Sequence, residues 1–307
     1  MTVARATDRA SAIPAGVGDD RHTRTLQLPF RSPFAADRLL SFLGARAVPG
    51  IEEVRDGTYV RSVREPGRGS VVAMTFRGDH VEVRLSADKS PDLDRLRDQG
   101  RRAFDLDADP ATIDAGLSRD PQLAPLIARL PGIRVPGTFD GFELLVRAIF
   151  GQQVSVAGAR TSLGRLVLSA GALLERPSGG ITHLFPAPHQ VAELPPGAFG
   201  MPRVRAQTIR RVAELVAADE LDLSGEAPPE ETLGKLGDVP GIGPWTLAYV
   251  AMRALRDPDA FMVGDLGVRK GFEALGLGST KKEILERAER WRPWRAYVVM
   301  HLWHHHV

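Results

Sequence analysis

The 307-residue chain contains no cysteine. That absence excludes disulfides, thiolate metal sites, a nucleophilic thiol and a cysteine-ligated iron–sulfur cluster. Nor does any apolar run approach the roughly 20 residues that span a bilayer. The N-terminus also lacks the apolar central region of a secretory signal, so a cytoplasmic protein without membrane contact is expected. Lysine is scarce: 5 of the 40 basic residues, with none between Lys235 and Lys270. The formal net charge is only +2, too small to argue for a polyanionic partner. The arginine excess fits a GC-rich genome as well as a phosphate-binding task.

What is present divides the chain in two. Residues 1–22 are small, polar and aperiodic and read as a disordered tail. From 23 to about 115, the runs TRTLQLPF, GTYVRSVRE, GSVVAMTFRGD and HVEVRLSAD alternate apolar and polar residues, with RGDH as a tight-hairpin candidate. Between the first two lies a helical pattern, SPFAADRLLSFLGARAV, with Ser32 as expected cap and Pro33 at its first position. An antiparallel sheet with helical cover follows, hence an α+β fold. Beyond about 111 the pattern is helical throughout. One helix opens with Asp140 and Glu143 in capping-box spacing and breaks at Gly151-Gln152-Gln153.

Two local features carry chemistry. In VPGIGP, Gly241 and Gly243 permit unusual backbone angles and Pro244 suits a first helical turn. A helix-hairpin-helix results, whose free N–H groups at a helix start can bind one DNA phosphate without side-chain charge. Trp245 and Tyr249 then share one helix face. The second feature is Asp265 in GDLGVRKGF, which spacing alone reads as a helix N-cap. Basic stripes at 203–211 and 269–295 are as consistent with phosphate contact as with a solvated face. The terminal run with His301, His304, His305 and His306 lacks the companions of a metal site.

Together, LGDVPGIGPWTLAYVAMRALRDPDAFMVGDLGVRK, FELLVRAIFGQQVSVAGART, FGMPRVRAQTI and RWRPWRAYVVMHLW resemble the helix-hairpin-helix DNA glycosylase superfamily, within it the AlkA type of DNA-3-methyladenine glycosylase II. The resemblance covers the chain from about 23 and is strongest from 139 to 303. It implies a TATA-binding-protein-like sheet domain over 23–115, a helical lobe over 116–255 with the hairpin and a wedge loop, and a second helical lobe over 256–307 closing the cleft.

The resemblance also implies roles. Asp265 falls on the family's essential aspartate, which stabilises an oxocarbenium-like sugar as an alkylated purine, flipped from double-stranded DNA, departs. Trp245, Tyr249, Trp303 and Gln152 fall in the base pocket, Gly241 and Gly243 on the phosphate, and Gln153 on the wedge position, where relatives carry an apolar residue. Carbonyls of Gly237, Val239 and Ile242 fall where relatives hold Na+ or K+; no other cofactor is implied. Trp245 replaces the lysine of strand-nicking branches, so no Schiff base is expected. A monomer acting at the nucleoid is expected. A non-catalytic binder of damaged or abasic DNA stays open as the alternative, because of Gln153 and of Gly264 beside the aspartate.

Overall fold

The computed structural model describes residues 23–65, 67–86 and 92–305. The tail expected over 1–22, and His306, lie outside them. Five strands, β1 (Thr23–Pro29), β2 (Glu52–Arg55), β3 (Thr58–Glu65), β4 (Arg68–Phe76) and β5 (His80–Ser86), form an antiparallel sheet in the order β1-β5-β4-β3-β2. The expected hairpin is there, closed by the Arg77 N–H donating to the His80 carbonyl at 2.8 Å. Strand β2 is additional, too short for alternation to reveal. Helix α1 (Ala36–Arg46) joins β1 to β2, and α2 (Leu93–Ala103) follows β5. Leu28, Leu39, Met74, Val83 and Phe104 form the core between helices and sheet. The cap expected at Ser32 is not used. Helix α1 starts after Ala35, whose N–H is bound by the Gly132 carbonyl at 3.0 Å, so a distant loop sets the helix start.

The helices that follow are α3 (Pro110–Leu117), α4 (Ala124–Arg129), α5 (Gly141–Gly151), α6 (Val156–Ala170), α7 (Pro188–Glu193), α8 (Arg203–Ala217), α9 (Pro229–Gly237), α10 (Pro244–Arg253), α11 (Leu266–Ala274), α12 (Lys281–Ala288) and α13 (Arg295–His305). The pattern predicts helix throughout, but a small hairpin interrupts it: β6 (Leu173–Ser178) pairs with β7 (Ile181–His183) about the Gly179-Gly180 turn. Leu174 and Ile181 of this hairpin bury the second face of the sheet at Val60, Val71 and Ala73. Two further cores lie in the helical region. One is built on α5, α6, α8 and α10 through Leu145, Val167, Ile209 and Val250. The other joins Ile113, Leu123 and Ile133 to Met262, Phe272, Trp291 and Val299. By packing, then, the C-terminal lobe takes in residues 113–135 as well as the stretch from 256.

Candidate active site

The hairpin between α9 and α10 is shaped by contacts as much as by its glycines. Gly241 has φ +91°, and a Cβ there would stand 2.3 Å from Thr208 Oγ1 on α8. Thr208 instead donates to the Pro240 carbonyl at 2.8 Å. Gly243 is the N-cap of α10, with extended backbone, no side-chain cap and open space where a Cβ would sit. Gln152 Nε2 donates to the Gly241 carbonyl at 3.3 Å and to Thr246 Oγ1 at 3.1 Å, so the loop after α5 is laced to the hairpin.

Asp265 caps α11: its Oδ1 accepts the Val268 N–H at 3.0 Å. Both tryptophans expected in the pocket also converge on it. Trp303 Nε1 donates to Oδ1 and Trp245 Nε1 to Oδ2, each at 2.9 Å. A carboxylate offers about four acceptor positions; three are used, and one on Oδ2 is left. Trp245 stacks on Tyr249 with centroids 5.1 Å apart and planes 14° from parallel. The carboxylate and both rings line a cleft of about 1150 Å³ between the sheet domain and the helical lobes.

Sequence reasoning missed the part that α1 contributes. Phe42 stacks on Trp303 at 6.0 Å, and the Arg46 guanidinium lies 3.8 Å from the Phe42 ring centroid. Arg253 on α10 donates to the Tyr249 hydroxyl and to the carbonyls of Pro136 and Gly137 at 2.6 and 3.0 Å. Burial opposes ionisation of Tyr249, but Arg253 and Arg46 outweigh it and set its hydroxyl below the usual tyrosine range. No local pattern marked Phe42 or Arg46; only the fold brings α1 to the cleft.

Gln153 sits exposed at the loop tip with φ +60°, flanked by exposed Val154. Ser155 caps α6 by accepting the Gly158 N–H at 3.1 Å. The capping box expected at the start of α5 is half formed: Asp140 accepts the Glu143 N–H, whereas the Glu143 carboxylate is buried against Arg61 and Arg147. Of the basic stripes, Arg205 donates to the Gln152 carbonyl and Arg210 to that of Ala192. Arg287, Arg292 and Arg295 are tied to Asp120, Asp259 and Glu289. Arg269 and Lys270, just beyond Asp265, remain exposed. Burial pushes the His301 imidazole down to about 3, with His304 adding to the effect. Among the described residues, no group of three or more His, Asp or Glu could hold a metal ion, and no helix is long and apolar enough to cross a membrane.

A glycine-rich hairpin between packed helices, with a carboxylate and stacked aromatics in the adjoining cleft, defines a protein of the helix-hairpin-helix glycosylase fold. Comparison with known proteins agrees. Residues 25–140 match the AlkA N-terminal domain, and residues 146–296 the HhH-GPD superfamily of base excision DNA repair proteins. The Mycobacterium tuberculosis "probable bifunctional transcriptional activator/DNA repair enzyme AlkA" is 41% identical over 300 residues, which are 98% of this chain and 60% of that protein. The Escherichia coli "DNA-3-methyladenine glycosylase 2" is 34% identical over 282 residues, 90% of this chain and 96% of that one. The solved 3-methyladenine DNA-glycosylase of Archaeoglobus fulgidus superposes with a TM-score of 0.80 at 21% identity, covering 91% and 97% of the two chains. The chain belongs to the AlkA family of the HhH-GPD superfamily, and spans 60% of the length of its mycobacterial relative.

Proposed function

We propose that this protein is a monofunctional DNA glycosylase that releases alkylated purines, 3-methyladenine and related bases, from double-stranded DNA. The observation that carries the reading is Asp265, fixed by two indole N–H groups and the α11 N-terminus in a cleft beside the hairpin. In this reading the backbone around Gly241 and Gly243 grips a phosphate, and Gln153 enters the duplex as the base leaves the stack. The base is received against Trp245 and Tyr249. An N-alkylated purine is already cationic and departs neutral, so a single carboxylate suffices. Its remaining acceptor position on Oδ2 faces the developing sugar cation or the attacking water.

No lysine lies between Lys235 and Lys270, so the strand is left intact and the product is an abasic site. The carbonyls of Gly237, Val239 and Ile242 would hold a monovalent cation. That of Val239 accepts the Ile242 N–H at 3.1 Å and keeps a second lone pair for the ion. The ion would add positive charge beside the phosphate. The protein acts as a monomer in the cytoplasm.

The test is base release from methylated duplex DNA by the wild type and Asp265→Asn. Release by the wild type and its loss in the variant are expected. Equal release by both would overturn the role of Asp265. Binding without release by either would favour a non-catalytic binder.

A further inference from the structure

Five side chains at the inner wall of the cleft take no part in the chemistry above. Glu52 opens β2, Tyr59 and Arg61 lie on β3, and Glu143 and Arg147 stand one turn apart on α5. Arg61 Nη2 meets Glu143 Oε2 at 2.8 Å. Arg147 reaches Glu52 Oε1 and Glu143 Oε1, each at 2.5 Å, through its two terminal nitrogens. Tyr59 donates to Glu52 Oε2, and the Val48 N–H donates to Glu52 Oε1 at 3.0 Å. Glu52 and Arg61 are 5% exposed and Glu143 3%.

Burying three charges with a fourth, Arg147, half-buried beside them is a poor route to stability, since apolar residues of similar volume often serve as well or better. What such a set supplies is placement: the two guanidiniums and two carboxylates neutralise one another only where the elements that carry them are docked together. Here the partners belong to two units. Helix α5 runs from Arg147 straight into the loop that bears Gln153. Helix α6, which leaves that loop, is tied to the same stretch of the sheet domain. Arg160 Nε donates to the Ala47 carbonyl at 2.5 Å, and a Cβ on Gly164 would lie 3.3 Å from Pro49. Both helices framing the loop are thus anchored on residues 47–52.

We infer that the sheet domain is the backstop of the wedge loop, and that Arg147 is a positioning residue that holds α5 in place while Gln153 enters the duplex. This rests on the wedge role of Gln153 in the reading above. The load falls chiefly on flipping: the network touches neither Asp265 nor the indoles, so base release should depend on it most when a paired base must be extruded.

The test uses single-turnover base release from duplexes with one 7-methylguanine, paired with cytosine or facing an abasic site. Arg147→Met should slow release about 10-fold or more on the paired lesion and less than about 3-fold on the unpaired one; Arg147→Lys should recover part of the loss. In a Gln153→Ala background, Arg147→Lys should cause no further loss on the paired lesion. Leu28→Ala, in the sheet core away from the network, reports general destabilisation and should slow both substrates alike. Equal losses on the two substrates, or losses additive with Gln153→Ala, would overturn the proposal. If Arg147→Met does not fold, the Arg147→Lys cycle decides alone. Wild-type protein that releases no base from either duplex would overturn the glycosylase reading itself.

Discussion

Asp265 uses Oδ1 for the Val268 N–H and the Trp303 indole, and Oδ2 for the Trp245 indole. Capping and catalysis therefore draw on one geometry, and substitutions can separate them. Asp265→Asn keeps an acceptor for Val268 but sets an amide against the Trp245 donor. Its cost in stability should come from the unpaired Trp245 indole, about 1–3 kcal/mol, while base release falls by roughly 10²-fold or more, as when a preorganised charge-stabilising group is removed. Thermal melts and single-turnover rates on one preparation check the contrast. Trp303→Phe probes the support. The ring keeps its stack on Phe42 but loses a hydrogen bond to a carboxylate, worth about 1.5–3 kcal/mol. The expected result is kcat lower by about 10-fold or more with KM little changed, because the bond fixes the reacting group and not the bound DNA.

At the scale of elements, the two hairpin glycines answer to different constraints and should fail differently. Gly241→Ala places a Cβ 2.3 Å from Thr208 Oγ1 at φ +91°. It should destabilise the fold by about 1–3 kcal/mol. Gly243 meets nothing within 4 Å and has φ −108°, so Gly243→Ala should leave the melting temperature unchanged. If a phosphate approaches the backbone there, affinity for damaged and undamaged duplex should fall together, since a phosphate contact carries no base information. Titration of both duplexes at fixed salt is the measurement, and unaltered affinity would remove the phosphate from Gly243. The hairpin was legible in the sequence because its determinants are local, Gly and Pro at fixed offsets. So was the shared face of Trp245 and Tyr249, which follows from four-residue spacing, although the stacking of the two rings is known only from the structure. What was not legible depended on distant partners. The start of α1 is set by Gly132, and Glu143 left its capping role for Arg61 and Arg147. Phe42 and Arg46 reach the cleft only because the sheet domain docks there. The β6–β7 hairpin carried a visible Gly-Gly turn, but β6 holds Glu175, Arg176 and Pro177, so no strand alternation accompanied it.

At the scale of the whole molecule, three units meet at one buried carboxyl whose surroundings perturb its proton. Asp105, just past α2, accepts from the Tyr297 hydroxyl of α13 at 2.8 Å and from the Val135 N–H at 3.3 Å. Burial raises its carboxyl from 3.8 to about 6, against the opposing pull of those two donors and of Arg134. The folded protein therefore holds this proton more tightly than the unfolded chain. The stability it confers is full below pH 4 and is lost as pH rises through about 6, amounting to about 3 kcal/mol at about 1.4 kcal/mol per pH unit. His301 works in the opposite sense. With its pKa pushed down to about 3, its share is full above about 6.5 and is lost as pH falls. The wild-type curve mixes the two, so the difference between variant and wild type is the useful quantity. Asp105→Asn retains an acceptor for Tyr297 and Val135 and never ionises. It should be more stable than the wild type at pH 7.5 by up to about 3 kcal/mol and melt correspondingly higher, and lose about two thirds of that advantage on acidification to pH 4.5, while His301 cancels from the comparison. A difference in melting temperature that stays constant from pH 4.5 to 7.5 would show that Asp105 is not the titrating group at the junction.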